Sequence, residues 1–415
     1  MKSASSTAIY GPDGVNGAIV ITTKRGSKQK PAITLSHTMQ FESVAFMPKF
    51  QTQFGSGSSE DYNTHNGIYD PIENQGYGDA FDGSLRQIGF DGPNGEKQLV
   101  TYEARPNEKK KFWNVGMTNQ TDFSIATGDF YLSAQNVDIK GIMPKDKNKR
   151  MSFHMSANKD ITSKLKASYS VQYTYGNYDV NAGTSFGNGR DYGPYWNLIN
   201  TPMEIPVTRY KNWRTDYWSS PDGYYNSYYY NPYWCVDNFR EKGHSDDVLG
   251  NIEFNYKVSP AVNVTYRLGA TYSNAISKST QGAYNYSAYS VSTGKATAQS
   301  NIIAAVFDAS SFSNRINSEL FATFKKQFGD FKFDGLLGQS FRETNSKAIS
   351  VGSNNLGISQ VYNISVREGE PSASESNSKT RLQRYFGKVS LGYKNFLFAE
   401  VTGSYDMDSR LSNPY

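Results

Sequence analysis

The side chains that could do chemistry are few and poorly spaced for it. The four histidines, His37, His65, His154 and His244, are scattered and fit no HExxH arrangement, so no two of them stand one helical turn apart as metal ligands would. His154 alternates with strand residues and is expected on a water-facing strand surface. Asp406-Met407-Asp408 is too short for a calcium loop of the EF-hand kind. Ser156 to Lys159 fits Ser-x-x-Lys, but the motif ends an alternating stretch and neither Lys-Thr-Gly nor Ser-Asp-Asn accompanies it. Glu60 and Asp61 lie in a loop, where solvated charge is the ordinary role. No nucleophile elbow is present. The single cysteine, Cys235, excludes both an intrachain disulfide framework and a CxxC zinc site. The expectation is no catalytic residue, no metal ligand and no cofactor; the chain does not read as an enzyme.

Two segments are more pointed. Residues 7–26 read TAIYGPDGVNGAIVITTKRG, with Gly11, Gly14 and Gly17 ahead of an apolar strand at Ala18–Thr22. A phosphate loop needs its glycines to lead into a helix, so this order reads as a tight turn feeding a buried strand. Residues 213–234 hold Trp213, Tyr217, Trp218, Tyr224, Tyr225, Tyr228, Tyr229, Tyr230, Tyr233 and Trp234. Flat amphipathic rings with a polar tip suit sugar, peptide or protein contact. The plainer reading is a long loop packing on itself or against a partner. Direct substrate contact by Trp213, Tyr217, Trp218, Tyr224, Tyr225, Tyr229 and Trp234 is the sharper alternative.

The elements that would carry these segments are strands. Lys164–Tyr175 places Leu165, Ala167, Tyr169, Val171, Tyr173 and Tyr175 on one face, and Lys166, Ser168, Ser170, Gln172 and Thr174 on the other. Ala261–Tyr272, Gly250–Lys257 and Met151–Asn158 alternate the same way. Such runs are about 10–12 residues, twice an ordinary globular strand and the length a tilted strand needs to cross a bilayer. The reading gives about eleven strands: 31–41, 121–127, 130–139, 149–159, 164–176, 245–257, 261–274, 313–327, 331–344, 378–393 and 395–405. Connections near 160, 259, 329 and 394 are tight, whereas those near 177–243, 275–312 and 345–377 are long, with 140–148 a short exception. Turns at one end and long loops at the other is the layout of an outer-membrane barrel.

Composition agrees. The chain has 415 residues, with 31 Tyr, 24 Phe and 5 Trp, yet its mean hydropathy is −0.64. Aromatic strands in a hydrophilic chain fit a barrel with aromatic girdles. No run of 18 apolar residues offers a transmembrane helix, and Met1–Ser5 has no signal-peptide apolar region. The net charge of +5 is small, and the basic patches Lys109–Lys111 and Lys145–Arg150 are short, so no nucleic-acid partner is expected. About eleven strands with no evident closure, and a loop-like 411–415, read as part of a longer barrel, because unpaired sheet edges cannot face lipid.

The motifs also resemble a family. The segment at 7–26, through Tyr10, Gly11, Gly14, Asn16, Gly17, Thr22, Thr23, Lys24 and Gly26, resembles the close of the plug domain in TonB-dependent outer-membrane receptors, and its ITTK-x-G ending resembles the SusC/RagA family. The stretches ITLSHTMQFESVAFMPKFQTQFG (33–55), FYLSAQNVDIKGIMPKDKNKR (130–150), NPYW (231–234) and LGYKNFLFAEVTGSYDMDSRL (391–411) are similar to segments of that family. The resemblance implies an all-β fold in which residues 1–26 end a plug and 27–415 form the N-terminal half of a barrel. It implies TonB-energised import of oligosaccharides or peptides across a bacterial outer membrane, with a SusD-like surface lipoprotein as lid and TonB acting through a segment upstream. Outer-membrane lipid would surround the barrel, with turns in the periplasm and loops outside. A passive porin-like channel and a soluble or surface glycan-binding or adhesion module are the other classes compatible with alternating strands.

Overall fold

The computed structural model describes residues 31–182, 193–295, 300–394 and 396–411. The glycine-rich motif at 7–26 lies outside the described residues. The chain forms β1 (Ala32–Glu42), β2 (Leu85–Ile88), β3 (Gln98–Thr101), β4 (Gly116–Thr127), β5 (Phe130–Lys140), β6 (Lys147–Asp160) and β7 (Leu165–Asn181). It continues with β8 (Phe239–Lys257), β9 (Val262–Gln281), β10 (Ala305–Phe328), β11 (Phe331–Ser353), β12 (Ser372–Tyr393) and β13 (Leu397–Asp408). One 11-stranded sheet runs in the order β1-β4-β5-β6-β7-β8-β9-β10-β11-β12-β13, while β2 and β3 pair separately. Every neighbouring pair is antiparallel.

All eleven expected strands are present, and the sheet is the expected all-β wall. The strands are longer than the alternation foretold: β8 starts at Phe239, β9 runs to Gln281, β10 starts at Ala305 and β11 reaches Ser353. The added residues are at the long-loop end, where outward positions such as Lys242, Lys278 and Asp308 are charged while Phe239, Ala305 and Val306 pack into the loop core. The hydrogen-bond ladder continues there although the hydropathy period has ended.

Register sorts the two faces. Ser36, Asp122, Gln135, Ser152, Thr174, Asp247, Ser273, Ser313, Ser346 and Ser378 stand opposite one another across ten strands, a row of polar groups. One residue along, Leu35, Phe123, Ala134, Phe153, Tyr173, Val248 and Tyr272 form an apolar row on the opposite face. Leu35, Leu337 and Val401 on that face are 72, 72 and 73% exposed. Water would not tolerate so continuous an apolar surface.

Tight turns join β4 to β5, β6 to β7, β8 to β9, β10 to β11 and β12 to β13 at one end. In the β10–β11 turn Gly329 has φ 59°, a left-handed conformation that glycine adopts freely. At the other end, residues 43–115, 182–238, 282–304 and 354–371 connect β1 to β4, β7 to β8, β9 to β10 and β11 to β12. Among them are the short helices α1 (Glu108–Lys111), α2 (Gly193–Ile199), α3 (Pro232–Asn238) and α4 (Ala288–Ser292). The molecule's buried core lies in this cap.

Candidate functional site

The wall's polar face holds a groove of about 670 Å³ lined by Ser36, Asp122, Gln135, Arg150, Ser152 and His154 among others. Antiparallel pairing sets these side chains side by side, and hydrogen bonds tie them into a chain. Gln120 Nε2 and Gln135 Nε2 donate to Asp122 at 2.8 and 2.6 Å, and Arg150 donates to Gln135 Oε1 at 3.0 Å. Nearer the turns the same face becomes ionic. Arg267 bridges Glu253 at 2.6 Å and Glu319 at 3.2 Å, and Arg384 pairs with Asp406 at 2.7 Å. This surface offers hydroxyls, amides and paired charges to a polar solute. His154 lies on it, 5.7 Å from the Tyr131 ring. Among the described residues, no group of three or more His, Cys, Asp or Glu is placed to hold a metal ion.

The cap above is built from several distant segments. Ile88 and Val100 of the β2–β3 hairpin, Phe112, Leu198, Ile205 and Tyr225 share one buried cluster. Trp234, Cys235, Phe239, Tyr286 and Ile302 form a second, and Ala304, Val306 and Leu356 a third. The first excursion folds tightly because it lacks side chains where its backbones meet. A Cβ on Gly67 would lie 2.1 Å from the Gly78 carbonyl oxygen, and one on Gly78 2.2 Å from that of Ser56.

Buried polar groups lock these segments together. Asn231 caps α3 by accepting from the Tyr233 amide at 2.9 Å, while its Nδ2 donates to the Tyr210 and Ser219 carbonyls, both at 2.7 Å. Proline follows it at the first helical position, where a missing N–H costs nothing. Glu204 is wholly buried and accepts from the Ser56 amide at 2.8 Å. Burial pushes its carboxyl up, against the Ser56 hydrogen bond and the nearby Lys109. Burial likewise pushes Lys109 down to about 7 despite Glu204. The Lys109 ammonium donates to the Ile199 carbonyl at 2.8 Å and lies 3.7 Å from the centre of the Phe50 ring. Lys295, only 2% exposed, donates to the carbonyls of Pro221, Asp222 and Tyr224 at 2.6, 3.2 and 2.7 Å; burial lowers its pKa to about 7. Asp237 accepts from Trp213 Nε1 at 3.0 Å and pairs with Arg214 and Lys145. Burial alone would raise its pKa, but these donors outweigh it and hold the carboxyl low.

The aromatic segment divides accordingly. Tyr224, Tyr225, Tyr233 and Trp234 are buried. Tyr224 and Tyr225 pack against Tyr210 with ring centres 4.9 and 6.0 Å away, and Trp234 meets Phe239 edge-on at 5.2 Å. Trp213, Tyr217, Trp218 and Tyr229 are half-buried, and Tyr228 is exposed. Tyr217 and Trp218 stack edge to face at 5.1 Å. The structure thus brings Trp213 and Trp234 together, 6.5 Å apart, while Tyr217 and Trp218 form their own pair. Sequence reasoning missed Glu204, Lys109, Lys295 and Asp237. Glu204, Asp237 and Lys295 carry no periodicity in their loops, and Lys109 sits in the run Lys109–Lys111, which gives no sign of which lysine is buried. An Asn-Pro pair such as Asn231-Pro232 is a helix-start signal that the sequence does contain.

No family model matches the chain. Over 99% of its length it is 21% identical to the TonB-dependent receptor SusC of Bacteroides thetaiotaomicron. A stretch of 44 residues is 46% identical to the TonB-dependent receptor P3 of Formosa agariphila. The chain spans 38% of the first relative's length and 4% of the second's. Among solved structures, the RagAB peptide importer in its open-open and closed-closed states matches with TM-scores of 0.63 and 0.66 at 14% identity. Those matches cover 100 and 99% of this chain and 46% of each of those chains. They establish the likeness of fold.

Proposed function

We propose, from a chain that is SusC/RagA-like in sequence and in fold, that it forms part of the wall and extracellular cap of a TonB-dependent outer-membrane importer. In this reading residues 27–415 are the N-terminal half of the barrel, and residues 1–26 close a plug. The apolar sheet face meets lipid, the polar face lines the path of the cargo, the turns lie in the periplasm and the packed loops face outward. The cargo is an oligosaccharide or a peptide, a SusD-like lipoprotein is the lid, and TonB supplies the energy. The reading gives the chain transport and no catalysis. The observation that carries it is the segregation of the sheet into a polar row across ten strands and, on the opposite face, an apolar row across the seven from β1 to β9, with every long connection at one end.

Within this reading the half-buried rings Tyr217, Trp218 and Tyr229 and the exposed Tyr228 are the cap's candidates for touching lid or cargo. Trp213, Tyr224, Tyr225 and Trp234 act behind them as support. The test is uptake of a labelled oligosaccharide and a labelled peptide by cells carrying the intact gene, with and without TonB. Uptake of either that needs both the gene and TonB, with the protein in the outer-membrane fraction, is the expected result. Uptake unaffected by loss of TonB would point to a passive channel. Recovery of the protein in the soluble fraction would overturn the reading.

A further inference from the structure

Above the apolar band, the outer face of the sheet changes character within two residue pairs. Five successive cross-strand pairings join Lys140 to Lys147, Lys147 to Asp179, Asp179 to Lys242, Lys242 to Lys278 and Lys278 to Asp308. Four lysines thus share one row with two aspartates. The next row toward the turns adds Lys149, opposite Asp138 and Asn177, and His244. A shallow groove of about 460 Å³ runs over Lys147, Lys149, Asp179, Lys242, His244 and Lys278.

The acids of this region are already engaged. Asp308 binds Lys278 at 3.0 Å; Asp179 is shared by Arg240 at 2.8 Å and Lys242 at 3.4 Å; Asp138 faces Lys149 at 3.4 Å. Tyr173 donates to Asp246, one row further down, at 2.5 Å. Lys140 and Lys147 are exposed, and their side chains make no hydrogen bond or ion pair with the described residues. Like charges directly opposite on paired strands repel, and the sheet holds these two there with no acid between them. An anion supplied from outside would relieve that repulsion.

The height of the row says which anion. Rows from Leu165 to Tyr175 make the outer face of β7 apolar and aromatic. The ten steps from Leu165 to Tyr175, at about 3.3 Å each and tilted by about 40°, span about 25 Å, the height of a barrel's apolar band. Asp179 and Lys147 stand four residues beyond Tyr175, and a lysine stem can reach back along the surface to the headgroups. We propose that Lys140, Lys147 and Lys149 form a seat for the phosphate of an anionic lipid headgroup in the extracellular leaflet. This rests on the membrane-spanning reading above.

The test uses the protein purified from outer membranes and placed in nanodiscs with bisphosphorylated lipid A, with the same lipid dephosphorylated, or with neutral lipid plus inorganic phosphate. Bisphosphorylated lipid A is expected to raise the melting temperature, and the other two are not. In native mass spectrometry the K140Q/K147Q variant should retain the phosphorylated lipid about 30-fold less well, near five-fold per lysine. K164Q, in an exposed turn at the opposite end, should behave as the parent. In lipid-free detergent K140Q/K147Q should be as stable as the parent or more so, because a repulsion has been removed; a merely structural role would give the opposite sign. Equal retention by parent and variant, or an equal shift with dephosphorylated lipid, overturns the seat. A shift produced by inorganic phosphate alone assigns the site to a free anion and overturns the lipid. Absence of the protein from the outer-membrane fraction would overturn the membrane reading itself, a result distinct from these.

Discussion

In the wall, Tyr405 is 65% exposed and Leu337 72%, whereas in the cap Tyr225 and Trp234 are wholly buried. The same residue types serve two media. The wall presents its apolar side chains outward in a single layer and is ordered by the backbone ladder of eleven strands. The cap has no sheet of that size. It is ordered by a small core of its own, drawn from four connections and crossed by buried hydrogen bonds. Removing apolar volume should therefore injure the cap more than the wall, and adding charge should injure the wall according to face.

The largest contrast comes from truncating an apolar side chain. Trp234→Ala empties a fully buried site and is expected to cost about 3–5 kcal/mol. Leu337→Ala in a lipid environment should cost under about 1 kcal/mol, because lipid fills the space and no cavity remains. Denaturation midpoints, with proteolysis of the 43–115 and 193–238 segments as a local readout, measure both. Equal costs would mean that the cap has no core separate from the wall.

The second contrast lies within the wall. Phe153 and Ser152 are sequence neighbours on opposite faces. Phe153→Arg should cost about 2–4 kcal/mol, the usual price of a cation on the lipid face of a barrel. Ser152→Arg points into the polar groove and should stay within about 1 kcal/mol of the parent. Folding equilibria into bilayers check this pair, and an inverted sheet, with its polar face outward, would reverse the difference.

The third effect is smaller and belongs to the cap. Asn231→Ala removes two donors from the buried Tyr210 and Ser219 carbonyls and the cap of α3. About 1–3 kcal/mol is expected, read as a lower midpoint for the cap's proteolysis, with the wall unchanged.

These contrasts also explain what the sequence made legible. The wall could be read because lipid on one side and water on the other impose a period of two, and Leu165 through Tyr175 display it without interruption. That signal stops where the lipid stops. At Lys147, Asp179, Lys242, Lys278 and Asp308 the outward residues are charged, so the upper parts of β6 to β10 were invisible while their ladders continued. The cap was legible only as an aromatic concentration. Nothing in the sequence separated buried Tyr224 and Tyr225 from exposed Tyr228, because their burial depends on Ile88 and Val100, far away in the chain. Lys295 and Glu204 were equally silent, since their partners are backbone groups of other connections.

The smallest expected effect is on the polar face. Arg267 lies between Glu253 and Glu319, and its side chain is half exposed. A solvated ion pair contributes about 0–1 kcal/mol, so Glu319→Gln should leave stability within that range, with the remaining difference shrinking further in high salt. Asp237 in the cap is the counterpart. Only 6% of its side chain is exposed, and it gathers Lys145, Arg214 and Trp213. Neutralising it leaves two cations short of their partner, and salt would screen that loss far less. Titrating both variants with sodium chloride while following thermal unfolding compares the two regions directly. A small difference for Glu319→Gln that salt removes, beside a difference for Asp237→Asn that salt largely leaves in place, fits a wall whose inner face is wet and a cap whose interior is dry. The same flat response in both would mean that water does not reach the polar face, and the row from Ser36 to Ser378 would then line a packed interface and not a path for solute.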